Sequence, residues 1–262
     1  KEIKGVAWHE GPIGNAVWSG VRLSDVLKAA GIKAGAKHVW FEGADEIVDG
    51  KATFPFGGSV PLSKLLEEDS SMPAVLLATQ MNGQPLLPDH GFPIRTIVPG
   101  YIGARSVKWL QKIVVSDKPS PNHFIADVYK MVYSGTPVEI DETAPIYRYP
   151  VNAALCSAEK QADRMHLKGY ALPTGRSGCS ISRVEISMDN GKSWTPATLG
   201  DEAGDFCWHL WSATVTIANP ETDICVRATD SLGNTMPETV SWNPKGYLYN
   251  AWHRVPVSRF NI

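Results

Sequence analysis

The sequence lacks a long apolar run, an excess of charge of either sign and a signal peptide. No stretch reaches the length of a membrane span, and the start, KEIKGVAW, is not that of a secretory leader. The chain has 25 basic and 27 acidic residues, which gives a net charge of −2. Such a balance does not favour general nucleic-acid binding. We therefore expect no nucleic-acid partner and no membrane span, and any basic site must be local.

Cysteines are few, and none is close enough to another to form a CxxC pair. The four are Cys156, Cys179, Cys207 and Cys225, all in the second half of the chain. This spacing disfavours a zinc ribbon or a redox dithiol. Cys207 and Cys225 lie within apolar runs that resemble strands, which favours buried free thiols.

A basic stretch rich in proline and glycine lies between Pro88 and Ile113, PDHGFPIRTIVPGYIGARSVKWLQKI. Proline and glycine disfavour a regular helix, and the many apolar residues disfavour a solvated loop. The pattern predicts a folded loop system whose backbone and cations converge on an anionic ligand. A proline-punctuated strand pair with surface cations stays open as the alternative.

The first half of the chain predicts a mixture of short helices and strands. One helix is expected over residues 23–30, where apolar residues follow helical spacing up to a stop at Gly31. Another is expected to begin at Pro61, with three leucines facing inward: Leu62, Leu65 and Leu66. Strands are expected at residues 38–43, 52–56, 74–80 and 113–116.

The second half predicts strands and turns without helices. The composition changes between Ser134 and Pro150, where glycine and proline are frequent, and we place the domain boundary between residues 134 and 135. Strands are expected at residues 166–172, 183–188, 206–217 and 223–229, and Asp189-Asn190-Gly191 predicts a hairpin turn. This spacing is typical of an immunoglobulin-like β-sandwich.

Four motifs carry a resemblance to a known family. They are KGVAW (Lys4–Trp8), DHGFPIR (Asp89–Arg95), VPGYIGARSVKWL (Val98–Leu110) and YNAWHRV (Tyr249–Val255). In this order they resemble the sulfite oxidase family, which includes the molybdenum domain of assimilatory nitrate reductase. The resemblance covers nearly the whole chain. It implies an α+β fold, with a mixed α/β molybdopterin domain at residues 1–134, N-terminally incomplete, before an immunoglobulin-like dimerisation domain at residues 135–262.

The family's cofactor is molybdopterin, a pyranopterin dithiolene that holds one molybdenum. The resemblance implies that Arg95 and Lys108 neutralise its phosphate, and that His90 and backbone groups hold the ring edge. The implied cofactor-binding residues are Asp45, His90, Arg95, Ser106, Val107 and Lys108. Asp45 would contact the pterin amino group, although Glu46 lies next to it. No haem domain is expected in this chain.

The resemblance also implies a pocket for a small oxyanion over the metal. Arg254 would supply positive charge, Tyr129 a phenol donor, and Trp8 a wall with an indole N–H. Lys4 would tune the local charge. Because Tyr129 and Arg254 are far apart in the sequence, we expect the site to lie between the two domains.

The chain departs from the family pattern in two places. The family's molybdenum-ligating cysteine lies in a Cys-Ala-Gly-Asn-Arg-type segment upstream of KEIKG, and none of the four cysteines here matches it. No metal ligand is therefore assigned within this chain, and we expect either a further segment upstream or a fragment that is inactive alone. The acidic residue that usually precedes the pocket tyrosine is Val128 here, with Asp127 one position earlier.

The implied activity is the oxidation of sulfite to sulfate by oxygen-atom transfer, with electrons passed to an external acceptor such as a cytochrome. We expect a homodimer formed through the C-terminal domain. The alternatives are a relative that acts on nitrate or another sulfur compound, and a non-catalytic dimerisation fragment. A carbohydrate-binding or adhesion β-sandwich would leave the glycine, proline and arginine of the first half unexplained. The compartment is not determined; relatives occur in periplasm, mitochondria and peroxisomes, and a periplasmic location is our preferred hypothesis.

Overall fold

The structure, a computed structural model, describes residues 8–50, 52–66, 74–131, 144–201, 204–216 and 222–260. These residues group into two compact units. The N-terminal unit comprises residues 16–148, and the C-terminal unit comprises residues 149–260 together with residues 8–15. The boundary predicted between residues 134 and 135 lies outside the described residues, so the predicted domain division stays a prediction.

The N-terminal unit is built from short strands, short α-helices and 3₁₀ turns. The strands are β1 (Trp18–Arg22), β2 (His38–Gly43), β3 (Ile47–Asp49), β4 (Ala52–Phe54), β5 (Gly57–Pro61), β6 (Leu76–Met81), β7 (Gln84–Pro85), β8 (Arg95–Ile97) and β9 (Leu110–Ser116). The α-helices are α1 (Leu23–Ala30), α2 (Ser63–Leu66) and α3 (His123–Ala126), and 3₁₀ turns span Pro88–His90 and Gly103–Arg105.

Antiparallel pairing organises this unit around β6 and β2. Strand β6 pairs with β1, β7 and β8, while β2 lies between β5 and β9. Along β2, Val39 and Phe41 are fully buried and their neighbours are not, as expected for side chains that alternate along a strand. The buried core of the unit consists of Leu23, Leu27, Val39, Phe41, Val60, Leu62, Leu65, Val75, Leu77, Val98 and Val107.

The helices of this unit confirm one prediction and correct another. Helix α1 has the predicted bounds, and Gly31 ends it with a φ of 81° while donating its N–H to the Leu27 carbonyl at 3.1 Å. The prediction that Leu66 faces inward is wrong, because this residue is 43% exposed. Helix α2 has 4 residues and ends at Leu66, so the last position lies beyond its buried face.

The C-terminal unit is a two-sheet antiparallel β-structure. Its strands are β10 (Asn152–Gln161), β11 (Arg164–Leu172), β12 (Ile181–Ser187), β13 (Thr195–Pro196), β14 (Thr198–Leu199), β15 (His209–Thr216), β16 (Asp223–Asp230) and β17 (His253–Pro256). One sheet has the order β10-β11-β15-β14, and the other has the order β13-β12-β16-β17. Buried side chains from both sheets form one apolar core, as the predicted sandwich requires.

The predicted strand at residues 183–188 and the hairpin turn after it are both found in this unit. Val184 and Ile186 of β12 are buried as predicted, and β12 pairs with β13 after the turn at Asp189-Asn190-Gly191.

The cysteines are free thiols; Cys179 and Cys225 are buried, Cys207 is half-buried outside a strand, and Cys156 is exposed. The prediction of a buried thiol therefore holds for Cys225 and not for Cys207.

Helix length bears on membrane insertion. Helix α1, with 8 residues, is the longest α-helix in the described ranges. A bilayer crossing needs about 20 apolar residues in a helix, and none of the described helices meets this requirement.

Candidate functional site

The basic stretch between Pro88 and Ile113 folds so that residues 94–98 run beside residues 106–110. The Thr96 N–H donates to the Val107 carbonyl at 2.9 Å, and the Val107 N–H donates to Thr96 Oγ1 at 2.7 Å. Thr96 and Val107 are fully buried. Their exchange of hydrogen bonds anchors the loop system in the core and leaves the neighbouring residues at the surface of a cavity.

Gly91 permits a second close approach in this loop system. It follows the 3₁₀ turn and has a φ of 100°, a conformation that favours glycine. A Cβ at this position would lie 2.9 Å from the Lys108 Cβ and 3.1 Å from the Trp109 nitrogen. The backbone of the turn therefore packs directly against residues 108–109.

Four of the predicted cofactor-binding residues line one cavity of about 260 Å³. The cavity lies within the N-terminal unit, and its walls are Asp45, Phe56, Arg95, Gly103, Ser106, Lys108 and Trp109. The structure thus brings together side chains from three separate segments of the chain: Asp45, Arg95, and the pair Ser106 and Lys108.

Arg95 and Lys108 contribute positive charge to this cavity. Arg95 donates from Nη1 to the His90 carbonyl at 3.0 Å and from Nη2 to the Ser106 carbonyl at 3.2 Å, and its burial lowers its pKa. Lys108 Nζ donates to the Asp89 carbonyl at 2.9 Å. These acceptors are neutral carbonyls, so neither cation is neutralised by a carboxylate within the described residues. Such a site favours an anionic group.

The remaining predicted cofactor residues take different places. Asp45 lines the cavity and accepts the Phe56 N–H at 3.3 Å, whereas the alternative, Glu46, is exposed and outside the lining. His90 is half-buried and lies outside the lining of the cavity. The Val107 side chain belongs to the core, and Thr96 engages both of its backbone groups. Contacts of His90 and Val107 with the cofactor stay predictions.

Tyr129 lies in the N-terminal unit beside a buried arginine that sequence reasoning missed. Its ring lies 5.7 Å from the guanidinium carbon of Arg105 and 6.2 Å from the Phe124 ring. Phe124 in turn packs against Phe56, with ring centroids 4.4 Å apart, and Phe56 lines the cavity. Tyr129 is therefore connected to the cavity wall through two aromatic rings.

Arg105 holds the segments that flank Tyr129. It is fully buried, and it donates from Nε and Nη2 to the Ile146 carbonyl at 2.9 and 2.7 Å and from Nη1 to the Phe124 carbonyl at 3.1 Å. The Ile146 N–H donates to the Tyr129 carbonyl at 2.8 Å. Burial lowers the pKa of Arg105 to about 10, so the side chain stays charged at neutral pH. Only its burial would have revealed this role, since the sequence shows one more arginine in a basic motif.

Trp8 and Arg254 line a second cavity, which lies within the C-terminal unit and has a volume of about 710 Å³. Tyr129 belongs to the other unit, and Lys4 lies outside the described residues. The predicted pocket between the domains therefore stays a prediction. The cavity also has aromatic walls from Trp242, Tyr249 and Trp252.

The Arg254 guanidinium is held by three neighbours. Nη1 donates to Cys225 Sγ at 3.3 Å, Nη2 donates to Glu238 Oε1 at 2.8 Å, and the guanidinium carbon lies 5.2 Å from the Trp252 ring. An arginine has five N–H donors, so these contacts leave donors for an oxyanion. Burial, more than any other cause, raises the pKa of Cys225, so its thiol is neutral beside the guanidinium.

The described residues hold no group of three or more His, Cys, Asp or Glu side chains suited to bind a metal ion directly. A metal ion in either cavity would therefore depend on a cofactor or on residues outside the described ranges.

Two other residues that sequence reasoning missed, Glu10 and His253, line the cavity of Trp8 and Arg254. Their pairing joins opposite ends of the chain, and no local pattern signals it.

Two protein-family models match the chain. The "Oxidoreductase molybdopterin binding domain" matches residues 1–124, and the "Mo-co oxidoreductase dimerisation domain" matches residues 142–260. The α+β unit with its cationic cavity thus corresponds to the molybdopterin-binding domain of oxidoreductases, and the β-sandwich that follows corresponds to their dimerisation domain.

Curated relatives narrow this class. The mitochondrial sulfite oxidase of Drosophila melanogaster is 40% identical over 280 residues, which cover 98% of this chain and 48% of the relative. The sulfite oxidase of Arabidopsis thaliana is 37% identical over 282 residues, which cover 97% of this chain and 70% of the relative. The nitrate reductase [NADPH] of Fusarium oxysporum is 31% identical, over 99% of this chain and 32% of the relative. The chain belongs to the sulfite oxidase family.

The chain spans about half the length of the animal sulfite oxidases that it matches. A solved structure, the sulfane dehydrogenase SoxCD from Paracoccus pantotrophus, has a TM-score of 0.72 and covers 90% of this chain and 59% of its own. At 24% identity it supports the fold alone. The resemblance, the fold class, the enzyme class and the molybdopterin cofactor are confirmed, while the roles of individual residues stay predictions.

Proposed function

We propose that this chain forms the molybdopterin-binding part of an enzyme that oxidises sulfite to sulfate and passes electrons to an external acceptor. The observation that carries the proposal is the 260 Å³ cavity in which Asp45, Arg95, Ser106 and Lys108 converge. The names of the relatives at 37–40% identity support sulfite as the substrate. A homodimer formed through residues 142–260 is part of the same proposal.

The residues of the cavity fit the cofactor by their chemistry. Arg95 and Lys108 are cations paired with carbonyls, which suits a terminal phosphate. Asp45 offers a carboxylate acceptor for an amino group, and Ser106 contributes a hydroxyl that already accepts the Val98 N–H at 3.0 Å. Phe56 and Trp109 supply apolar surface for a ring system. The pterin would therefore lie with its phosphate toward the cations and its amino group toward Asp45.

When bound, the cofactor supplies the molybdenum redox chemistry of oxygen-atom transfer. The protein's own residues bind and orient. Arg254 attracts and holds the oxyanion with its guanidinium donors, and Trp8 walls the same cavity. The phenol of Tyr129 donates a hydrogen bond to an oxygen of the substrate, and Arg105 fixes the backbone on both sides of this tyrosine.

A relative that acts on nitrate is the second candidate. It is favoured by the Fusarium nitrate reductase, which aligns with 99% of this chain. Nitrate, like sulfite, is a small oxyanion that a guanidinium binds. The two candidates differ in the direction of electron flow, since sulfite gives electrons and nitrate takes them.

The test is the kinetics of sulfite-dependent acceptor reduction by the molybdenum-loaded protein. The variant Arg254→Met should raise KM for sulfite by roughly thirtyfold, which corresponds to about 2 kcal/mol for a lost charged contact. Arg183→Met is the matched control, because Arg183 also pairs with a glutamate in the C-terminal unit and lies outside the cavity.

An unchanged KM in Arg254→Met would remove Arg254 from the anion pocket. Nitrate reduction by the parent protein with an artificial electron donor, without sulfite oxidation, would replace the sulfite proposal by the nitrate one.

A further inference from the structure

Residues 8–15 contain no helix or strand, so side-chain contacts determine where this segment lies in the C-terminal unit. At one end, Asn15 exchanges hydrogen bonds with the backbone of Trp208, at 2.8 Å from Nδ2 and 2.9 Å to Oδ1. At the other end, close to Trp8, the Glu10 side chain makes contacts, and the Gly11 N–H donates to the Tyr170 hydroxyl at 3.4 Å. Trp8 is 75% exposed, and its position depends on the short hydrogen bonds of Glu10 together with the longer one of Gly11.

The Glu10 carboxylate accepts hydrogen bonds from two side chains near the C-terminal end of the chain. Arg259 donates from Nη1 to Oε1 at 2.9 Å and from Nη2 to Oε2 at 2.8 Å, and His253 Nε2 lies 2.9 Å from Oε1. The Glu10 side chain is only 16% exposed. Bidentate pairing of this kind fixes orientation as well as distance. The hydrogen bonds from Arg259 are the main reason that the pKa of Glu10 falls to about 2, so the carboxylate is charged at neutral pH.

His253 is a neutral link in this cluster. Its Nδ1 lies 3.0 Å from the Leu155 backbone nitrogen, whose N–H can only donate. Nδ1 therefore carries no proton, and the proton on Nε2 is donated to Glu10. Burial lowers the pKa of His253, which agrees with a neutral ring. The ring thus joins the N-terminal segment to β10 through Leu155.

The cluster is connected to Arg254 through the backbone of β17. His253 and Arg254 are adjacent on this strand, opposite Val226 and Cys225 of β16. Their side chains point to opposite faces, since side chains alternate along a strand. Arg254 thus contacts Cys225 and Glu238 while His253 contacts Glu10. Because β17 is an edge strand of its sheet, a cavity beside it can be lined from both faces, and Trp8, Glu10, His253 and Arg254 all line the same cavity.

We propose that Glu10 and His253 are positioning residues of the anion pocket, which fix the segment that carries Trp8 against the strand that carries Arg254. The inference rests on the proposed function, because it assumes that Trp8 and Arg254 bind the oxyanion. In this role Glu10 and His253 act on the oxyanion through Trp8 and Arg254 and not by contact with it. A lost hydrogen bond to a charged group weakens binding by roughly ten- to a hundredfold, so displacement of Trp8 relative to Arg254 should be visible in substrate affinity.

The test compares Glu10→Ala with Glu42→Ala in the molybdenum-loaded protein. Glu42 is the matched control, since it pairs with Lys112 at 3.2 Å on β2 and β9, away from the cavity. Three quantities are measured: amide hydrogen exchange in residues 8–15 and at Leu155, the Kd of sulfate as an oxyanion probe, and KM and kcat for sulfite.

For Glu10→Ala we expect faster exchange in residues 8–15 and at Leu155. The Kd of sulfate and the KM of sulfite should rise by roughly ten- to a hundredfold with kcat little changed. Glu42→Ala should have the exchange rates, Kd and KM of the parent protein. Glu10→Gln keeps one acceptor oxygen, so its values should lie between those of the parent protein and Glu10→Ala. Arg259→Gln removes the partner of Glu10 instead of Glu10 itself. Because the Arg259 side chain is 46% exposed, this variant should fold even if Glu10→Ala does not.

The inference is overturned if exchange rises in Glu10→Ala or Arg259→Gln while the Kd of sulfate and KM stay at the parent values, or if exchange itself does not change. A parent protein that binds sulfate but does not oxidise sulfite contradicts the proposed function alone, and the sulfate and exchange measurements still decide the role of Glu10. A parent protein that does not bind sulfate contradicts both.

Discussion

Arg95 and Arg105 lie ten positions apart in the basic stretch between Pro88 and Ile113, and their surroundings give them different roles. Arg95 is half-buried, lines the cationic cavity and donates to loop carbonyls. Arg105 is fully buried and makes three hydrogen bonds to the carbonyls of Ile146 and Phe124. A buried charge is tolerated only where such donors and acceptors satisfy it. Arg95 is therefore placed to bind a ligand, whereas Arg105 stabilises the fold.

Replacement of Arg105 by methionine should destabilise the protein strongly. It leaves the buried carbonyl of Ile146 and the partly buried carbonyl of Phe124 without their donors, and each unsatisfied buried group costs about 1–3 kcal/mol. We expect a loss of about 3 kcal/mol or more in the free energy of unfolding, measured by urea titration. Arg22→Met is the control, because Arg22 is exposed and should change stability by less than about 0.5 kcal/mol. Equal stabilities of the two variants would show that Arg105 does not hold the segments around Tyr129.

Residue types in the sequence predicted part of the site and missed the rest for a physical reason. Arg95, Ser106 and Lys108 lie in the motifs that carry the family resemblance, and Asp45 lies outside these motifs at a position that the resemblance also implies. The structure brings all four residues to one cavity. The Glu10 cluster depends on partners more than 240 positions away in the chain. His253 lies in the YNAWHRV motif, but no local pattern in the sequence signals that it pairs with Glu10.

At the scale of elements, strong local signals gave correct predictions and weak ones did not. Helix α1 has an apolar stripe and a glycine stop, and β2 and β12 have buried alternating residues. Strand β10, with the sequence NAALCSAEKQ, was missed because alanine is depleted in strands and the alternation is faint. Strand β17 was also missed, and it is formed by pairing with β16 rather than by its own propensity.

The turn at Gly91 provides a prediction at this scale. Gly91→Ala places a Cβ 2.9 Å from the Lys108 Cβ at a φ of 100°, which combines backbone strain of about 1–2 kcal/mol with overpacking of about 1–3 kcal/mol. Because Lys108 lines the cofactor cavity, we expect less molybdenum to be retained per protein, measured by inductively coupled plasma mass spectrometry.

Gly35→Ala is the matched control for this turn. Gly35 has a φ of 88°, but nothing lies within 4 Å of a Cβ there, so the variant carries the strain without the contact. Molybdenum contents that fall equally in both variants, or in neither, would contradict a specific role for the close approach at Gly91.

At the scale of the whole molecule, the chain combines two parts, and a separate family model matches each of them. The molybdopterin-binding model covers residues 1–124 and the dimerisation model covers residues 142–260. Residues 8–15, however, group with the C-terminal unit, because Glu10, Gly11 and Asn15 contact residues of that unit. Composition and strand spacing predicted the two kinds of architecture, but they gave no sign that an N-terminal segment belongs with the sandwich.

The most direct test of sulfite oxidation is a single-turnover experiment. The molybdenum-loaded protein is mixed anaerobically with one equivalent of sulfite, without an electron acceptor, and sulfate is quantified by ion chromatography. We predict that sulfate forms in stoichiometric amount to molybdenum, and that Arg254→Met forms it more slowly at the same sulfite concentration. Fully loaded protein that forms no sulfate would contradict the proposed function.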